Sequence, residues 1–144
     1  MSIDVRLLLI EDNPADADLT QEALDGGRMA IQLRHALDGV EALELLRRSG
    51  EDAYRPDLIL LDLNLPRMDG HQFLAQLRLD PQLKPIPVVV LTSSEAPKDV
   101  SRSYQLGANC YVAKPMDLSA FQSIVKAVES FWFGIVRLPP SQHV

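Results

Sequence analysis

Three short runs of this chain are apolar at every position: "LLLI" at 7–10, "LILL" at 58–61 and "VVVL" at 88–91. A strand with one wet face alternates apolar and polar residues, so runs that do not alternate belong to strands covered on both faces. Between them lie stretches of helical spacing, "PADADLTQEAL" and "GVEALELLRRSG" among them. Strands that alternate with helices in this way make a doubly wound parallel α/β sheet. The more mixed "IQLRHAL" reads as an edge strand. Five strands and five helices use the chain up to residue 133, and "GIVRLPPSQHV" at 134–144 remains as a tail. With no repeat and no linker, one domain over 1–133 is expected.

Local punctuation supports these elements. Pro14 suits a first helical turn, Gly26 and Gly27 end that helix, and Asp38 can cap the next. Near the end, Leu118, Phe121, Ile124, Val125, Val128 and Trp132 fall on one apolar helical face.

Composition removes several classes. A formal charge of −6 over 144 residues lacks the basic face that nucleic acid requires, so no nucleic-acid partner is expected. No apolar run approaches the ~20 residues of a membrane span, and "MSIDVR" has no signal-peptide layout, so a cytoplasmic protein is expected. The single cysteine, Cys110, fits a reducing compartment and reads as a small core residue. His35, His71 and His143 fall in unrelated elements, which speaks against a histidine-ligated metal.

Ligands of open parallel sheets collect outside the carboxyl ends of the strands. There the first strand runs into Glu11 and Asp12, the third into Asp62, the fourth into Thr92 and the fifth into Lys114. Each has an ordinary explanation alone: a cap or turn for an aspartate, a solvated lysine, a strand threonine. Together they place three carboxylates, a hydroxyl and an ammonium on one rim. Clustered carboxylates repel, and one takes up a proton unless a cation neutralises the site. Oxygen donors of this type suit Mg²⁺. A carboxylate beside Mg²⁺ can act as a nucleophile toward phosphorus, with Lys114 and Thr92 stabilising the equatorial oxygens.

The set "LLLIEDN", "DLILLDLNLPRMDG", "VVVLTSS" and "CYVAKP" resembles the receiver domain of bacterial response regulators. The intervals agree as well, with 30 residues from Asp62 to Thr92 and 22 from Thr92 to Lys114. The resemblance covers residues 5 to about 130 and implies a flavodoxin-like sheet of order 2-1-3-4-5. It implies that Asp62 accepts a phosphoryl group from a phosphohistidine on a sensor histidine kinase. It further implies Mg²⁺ held by Asp12, Asp62 and the backbone carbonyl of Asn64, with Glu11 acting through water. Thr92 and Lys114 would bind the phosphate, the Lys114–Pro115 peptide would be cis, and Tyr111 would be the switch aromatic that moves inward with Thr92. Asn64 and Ser94 sit where the family tunes phosphate lifetime. On this reading the chain is a phosphoacceptor rather than an enzyme acting on separate substrates.

No effector domain fits after the fifth helix, so output by protein contact or by phosphotransfer to a further partner is expected. Phe131, Trp132, Phe133, Ile135, Val136 and Leu138 are too many apolar groups for one helical face. They either fold back on their own domain or form a homodimer interface, and the dimer is preferred. "VESFWFGIVRLP" also resembles the single-domain regulators paired with bacterial phytochromes, which implies a phytochrome-type kinase. Two other readings stay open: an Mg²⁺-dependent phosphohydrolase working through an aspartyl phosphate, and a dimeric scaffold that never uses phosphate.

Overall fold

A computed structural model describes residues 4–25 and 30–135. Five strands, β1 (Asp4–Ile10), β2 (Ala30–Ala36), β3 (Leu58–Leu61), β4 (Val88–Thr92) and β5 (Cys110–Ala113), form one sheet of order β2-β1-β3-β4-β5. All four pairings are parallel. Five helices connect and follow them: α1 (Pro14–Asp25), α2 (Gly39–Leu46), α3 (Gly70–Leu79), α4 (Pro97–Gln105) and α5 (Leu118–Glu129). This is the flavodoxin-like arrangement the sequence led us to expect. Among the described residues no helix is long and apolar enough to cross a membrane.

The uninterrupted apolar runs occupy the middle of the sheet and serve two cores. Leu8, Ile10, Ile59, Leu61, Val88 and Val90 face one way, against Leu43 and Leu46 of α2 and Phe73, Leu74 and Leu77 of α3. Leu7, Leu9, Leu58, Leu60, Val89 and Leu91 face the other way, against Ala17 and Leu24 of α1 and Phe121 and Val125 of α5. Successive side chains of a strand point to opposite faces, so continuous hydrophobicity requires helices on both. β2 lies at the edge and alternates, with Ile31 and Leu33 packed inward and Gln32 and Arg34 exposed.

The helix starts are fixed by side chains. Asp38 accepts from the Glu41 amide to cap α2, and Asp117 accepts from Ala120 to cap α5. Asp69 and Gln72 form a reciprocal capping box on α3. The expected stop of α1 at Gly26 and Gly27 lies outside the described residues. One expectation for the last helix changes. Leu118 is the first residue of α5 and 53% exposed, because it sits at the rim where no neighbouring element covers it. Beyond Glu129 the chain stays helical through Trp132, there as a π-helical stretch, Ser130–Ile135. Within it Trp132 and Phe133 pack on the α1/α5 core, whereas Phe131 is half exposed. Val136 and Leu138 lie outside the described residues.

Helix α4 is anchored differently from the others. Ser103 is its only buried residue, and Tyr104 is 49% exposed. It has no side-chain cap, and Pro97 stands in its first turn.

Candidate functional site

Backbone bonds at the strand ends set the positions of the polar side chains. The Glu11 amide donates to Ala36 O, Asp62 N to Ile10 O and Lys114 N to Thr92 O, each continuing the parallel ladder by one residue. Glu11, Asp62, Thr92 and Lys114 thus emerge side by side at one rim. The turn after β3 is tight. Arg67 adopts a left-handed φ of 61°, and the Gly70 amide returns to Leu63 O at 3.0 Å. A side chain at position 70 would meet Asp62 O at 2.5 Å, so only glycine lets α3 start this close to the end of β3.

Asp62 is buried and paired through both carboxylate oxygens. Thr92, fully buried, donates its hydroxyl to Asp62 Oδ1 at 2.7 Å. Lys114 Nζ lies 3.3 Å from Asp62 Oδ2, bonds Glu11 Oε1 and reaches Asp16 Oδ2 at 3.0 Å. One ammonium therefore serves three carboxylates. Glu11, Asp12 and Asp62 also place one carboxylate oxygen each within 4.8 Å of one another, Asp12 being the exposed member. The charge that ends the buried strand is compensated by a lysine, a hydroxyl and a geometry open to a cation.

Electrostatics follow from that crowding. Burial pushes the Glu11 carboxyl up to about 7; the bond from Lys114 opposes this and the charge of Asp62 adds to it. Burial works against the charge on Lys114, but the bond to Glu11 and the charges of Asp62 and Glu11 outweigh it and hold the ammonium above its ordinary value. A hard divalent ion fits this donor set: three carboxylates with converging oxygens and no soft ligand among them. The Asn64 amide approaches Asp62 Oδ1 at 3.4 Å, which brings the Asn64 peptide to the same edge.

The rest of the expected site divides. Tyr111 is half-buried, packs on the α2/α3 core, and donates its hydroxyl to Ser94 O at 2.9 Å. The Lys114–Pro115 peptide is a correction: no cis peptide bond occurs among the described residues. Trans is the default for X-Pro by roughly 0.5–1 kcal/mol, and Lys114 reaches its partners in that form. Cys110 is half-buried against the α1/α5 core. His35 Nε2 lies 2.6 Å from Glu11 O, a backbone contact rather than a metal site.

Asp16 is the partner that sequence reasoning missed. Its signal was its place in the first turn of α1, four residues after Asp12, which directs it back toward the rim. Asn13 was missed too. Its side chain accepts from the Asp16 amide at 3.1 Å, and its own amide donates to Glu11 Oε2 at 3.2 Å.

Chemically this rim can hold a divalent ion and presents a carboxylate with a hydroxyl and an ammonium poised around it, at the carboxyl end of a doubly wound sheet. Residues 7–126 match the family model of the response regulator receiver domain, and the chain belongs to that family. Among its relatives is the response regulator Rcp1 of Synechocystis, 45% identical over 135 residues that cover 92% of each chain. Two solved structures are similar over nearly the whole length. The phosphorylated cyanobacterial phytochrome response regulator RcpA is 46% identical, with a TM-score of 0.91 over 96% of this chain and all of that one. The Mn²⁺-bound form of Rcp1 is 44% identical, with a TM-score of 0.89 over 94% and 99%.

Proposed function

We propose that this receiver domain works in two-component signalling by accepting a phosphoryl group on Asp62 from a phosphohistidine of a sensor kinase. The observation that carries the reading is the pairing of Asp62: Thr92 on one carboxylate oxygen and Lys114 on the other. In the transfer, an Asp62 oxygen forms the new P–O bond as the P–N bond to the donor imidazole breaks. The ammonium of Lys114 and the hydroxyl of Thr92 then meet the equatorial oxygens. Mg²⁺, held by Asp12, Asp62 and the Asn64 carbonyl with Glu11 beside them, would offset the negative charge gathering at an acidic rim. Support for a metal comes from the carboxylate cluster here and from the Mn²⁺-bound form of Rcp1.

Thr92 bonded to Asp62 and Tyr111 docked on Ser94 O are the arrangement that the switch reading assigns to the signalling state. Coupling then runs from a charge event at Asp62 to α4, the helix with the least buried anchorage. A phytochrome-type kinase is the favoured donor, because RcpA is a phytochrome response regulator. The half-exposed Phe131, stacked edge-to-face on Trp132 at 5.8 Å, supports a homodimer through the end of α5.

The test is phosphoryl incorporation from acetyl phosphate or a cognate kinase, with Mg²⁺ and with chelator. Wild type is expected to label only with metal, and Asp62→Asn not at all while keeping a cooperative thermal transition. Label retained by Asp62→Asn would remove the assignment.

A further inference from the structure

A chain of hydrogen bonds leads from Tyr111 to a histidine on the opposite side of α4. Tyr111 donates to Ser94 O, and Ser94 Oγ donates to Asp99 Oδ2 at 2.5 Å in the first turn of α4. One turn on, Ser103 Oγ donates back to Asp99 O at 2.8 Å. His71, in the first turn of α3, places Nε2 3.0 Å from Ser103 Oγ and 3.3 Å from Asp99 O.

The donors in this network can be assigned. A hydroxyl has one hydrogen, and that of Ser103 is committed to Asp99 O. A carbonyl cannot donate, so for both contacts of Nε2 to be favourable it must carry the hydrogen, shared between Ser103 Oγ and Asp99 O. The neutral Nε2–H tautomer and the imidazolium both supply that donor, so the contact does not depend on protonation of the ring.

We infer that His71 is a positioning residue, whose Nε2–H latches α4 to α3 in the arrangement where Tyr111 is docked on Ser94 and Thr92 is drawn to Asp62. Ser103, the residue it holds, is the only buried residue of α4, so little apolar burial competes with the latch in deciding where the helix sits. Asp99 joins the two halves, its carboxylate tied to the loop after β4 and its carbonyl to α3. This inference rests on the reading of Asp62 as phosphoacceptor for its consequence, though not for the contact itself.

Two variants of the full chain separate donor from bulk. His71→Leu fills the space without an N–H, and His71→Gln restores an amide N–H near the position of Nε2. Amide hydrogen exchange of α4 without metal or phosphate analogue reads the latch. Beryllofluoride affinity with Mg²⁺ reads its coupling to Asp62. His71→Leu is expected to speed exchange in α4 and weaken beryllofluoride binding, each about fivefold, the worth of one net hydrogen bond. His71→Gln is expected to stay near wild type in both. Unchanged α4 exchange in His71→Leu, exchange raised equally in every helix, tighter or unchanged beryllofluoride binding, or a glutamine variant that behaves like leucine would each overturn the inference. If wild type fails to bind beryllofluoride while the exchange pattern holds, the latch stands and the phosphoacceptor reading falls.

Discussion

Thr92, the last residue of β4, and Asp62, the first residue beyond β3, are 30 residues apart and share a 2.7 Å hydrogen bond that is closed off from solvent. β3 and β4 hold them in parallel register, Leu61 against Val90, so that both side chains leave the sheet at the same rim. A carboxylate so held is already partly desolvated and oriented, which lowers the reorganisation needed when charge builds on it. Lys114, just beyond the end of β5, completes the frame.

Removing that lysine leaves buried carboxylates without their cation. Lys114→Met is expected to cost about 3 kcal/mol of stability in chelator, the lower end for breaking a buried ion pair. Mg²⁺ is expected to restore part of the loss, and the rate of phosphoryl incorporation to fall about a hundredfold or more, the scale of one electrostatic stabiliser. Urea unfolding with and without metal checks the first expectation; equal stability of the two proteins in chelator would contradict it.

The Glu11 carboxyl, raised from 4.5 to about 7, fixes a pH dependence. The folded form holds this proton more tightly than the unfolded one. Its contribution is therefore fully present below pH 4.5 and is lost as pH rises through about 7. Metal-free protein is expected to lose on the order of 2–3 kcal/mol between pH 5 and pH 8 from this group. Mg²⁺, which favours the ionised cluster, is expected to flatten the slope. Urea midpoints at the two pH values measure both, and a metal-free midpoint that rises with pH would refute the sign.

Gly70→Ala should be disproportionately damaging for the addition of one methyl. The new Cβ would meet two backbone atoms, Asp62 O at 2.5 Å and Leu63 Cα at 2.7 Å, neither of which can rotate away. A loss of about 2–3 kcal/mol is expected, with weaker metal binding because β3 and α3 must part next to Asp62. Isothermal titration with Mn²⁺ as the probe, beside thermal melts, would show whether the two losses occur together.

Phe131→Glu tests the association. Wild type is expected to elute as a dimer in size exclusion with light scattering, and the variant as a monomer with an unchanged melting transition at low concentration. A wild-type monomer both in Mg²⁺ alone and with beryllofluoride would dismiss the dimer.

Much of the molecule was written in local order. Continuous apolar runs at β1, β3 and β4 determined a sheet covered on both faces, and Asp38 marked a helix start through its own side chain. Because parallel strands all end at one rim, Glu11, Asp62, Thr92 and Lys114 could be gathered from sequence without any long-range contact being known. What strand ends cannot specify is how flexible side chains distribute their bonds once they meet.

That distribution was decided by the tertiary structure. Lys114 reaching Asp16, 98 residues away, depends on how α1 is inclined over the sheet, which no local propensity encodes. The exposure of Leu118 at the head of an otherwise apolar helical face follows from neighbours rather than from pattern. His71 is the clearest case. In sequence it is a polar residue in the first turn of α3, and only the packing of α3 against α4 turns it into the donor that holds Ser103. Periodicity records which face of an element is buried; which polar atom it meets there is a property of two elements together, fixed when they pack.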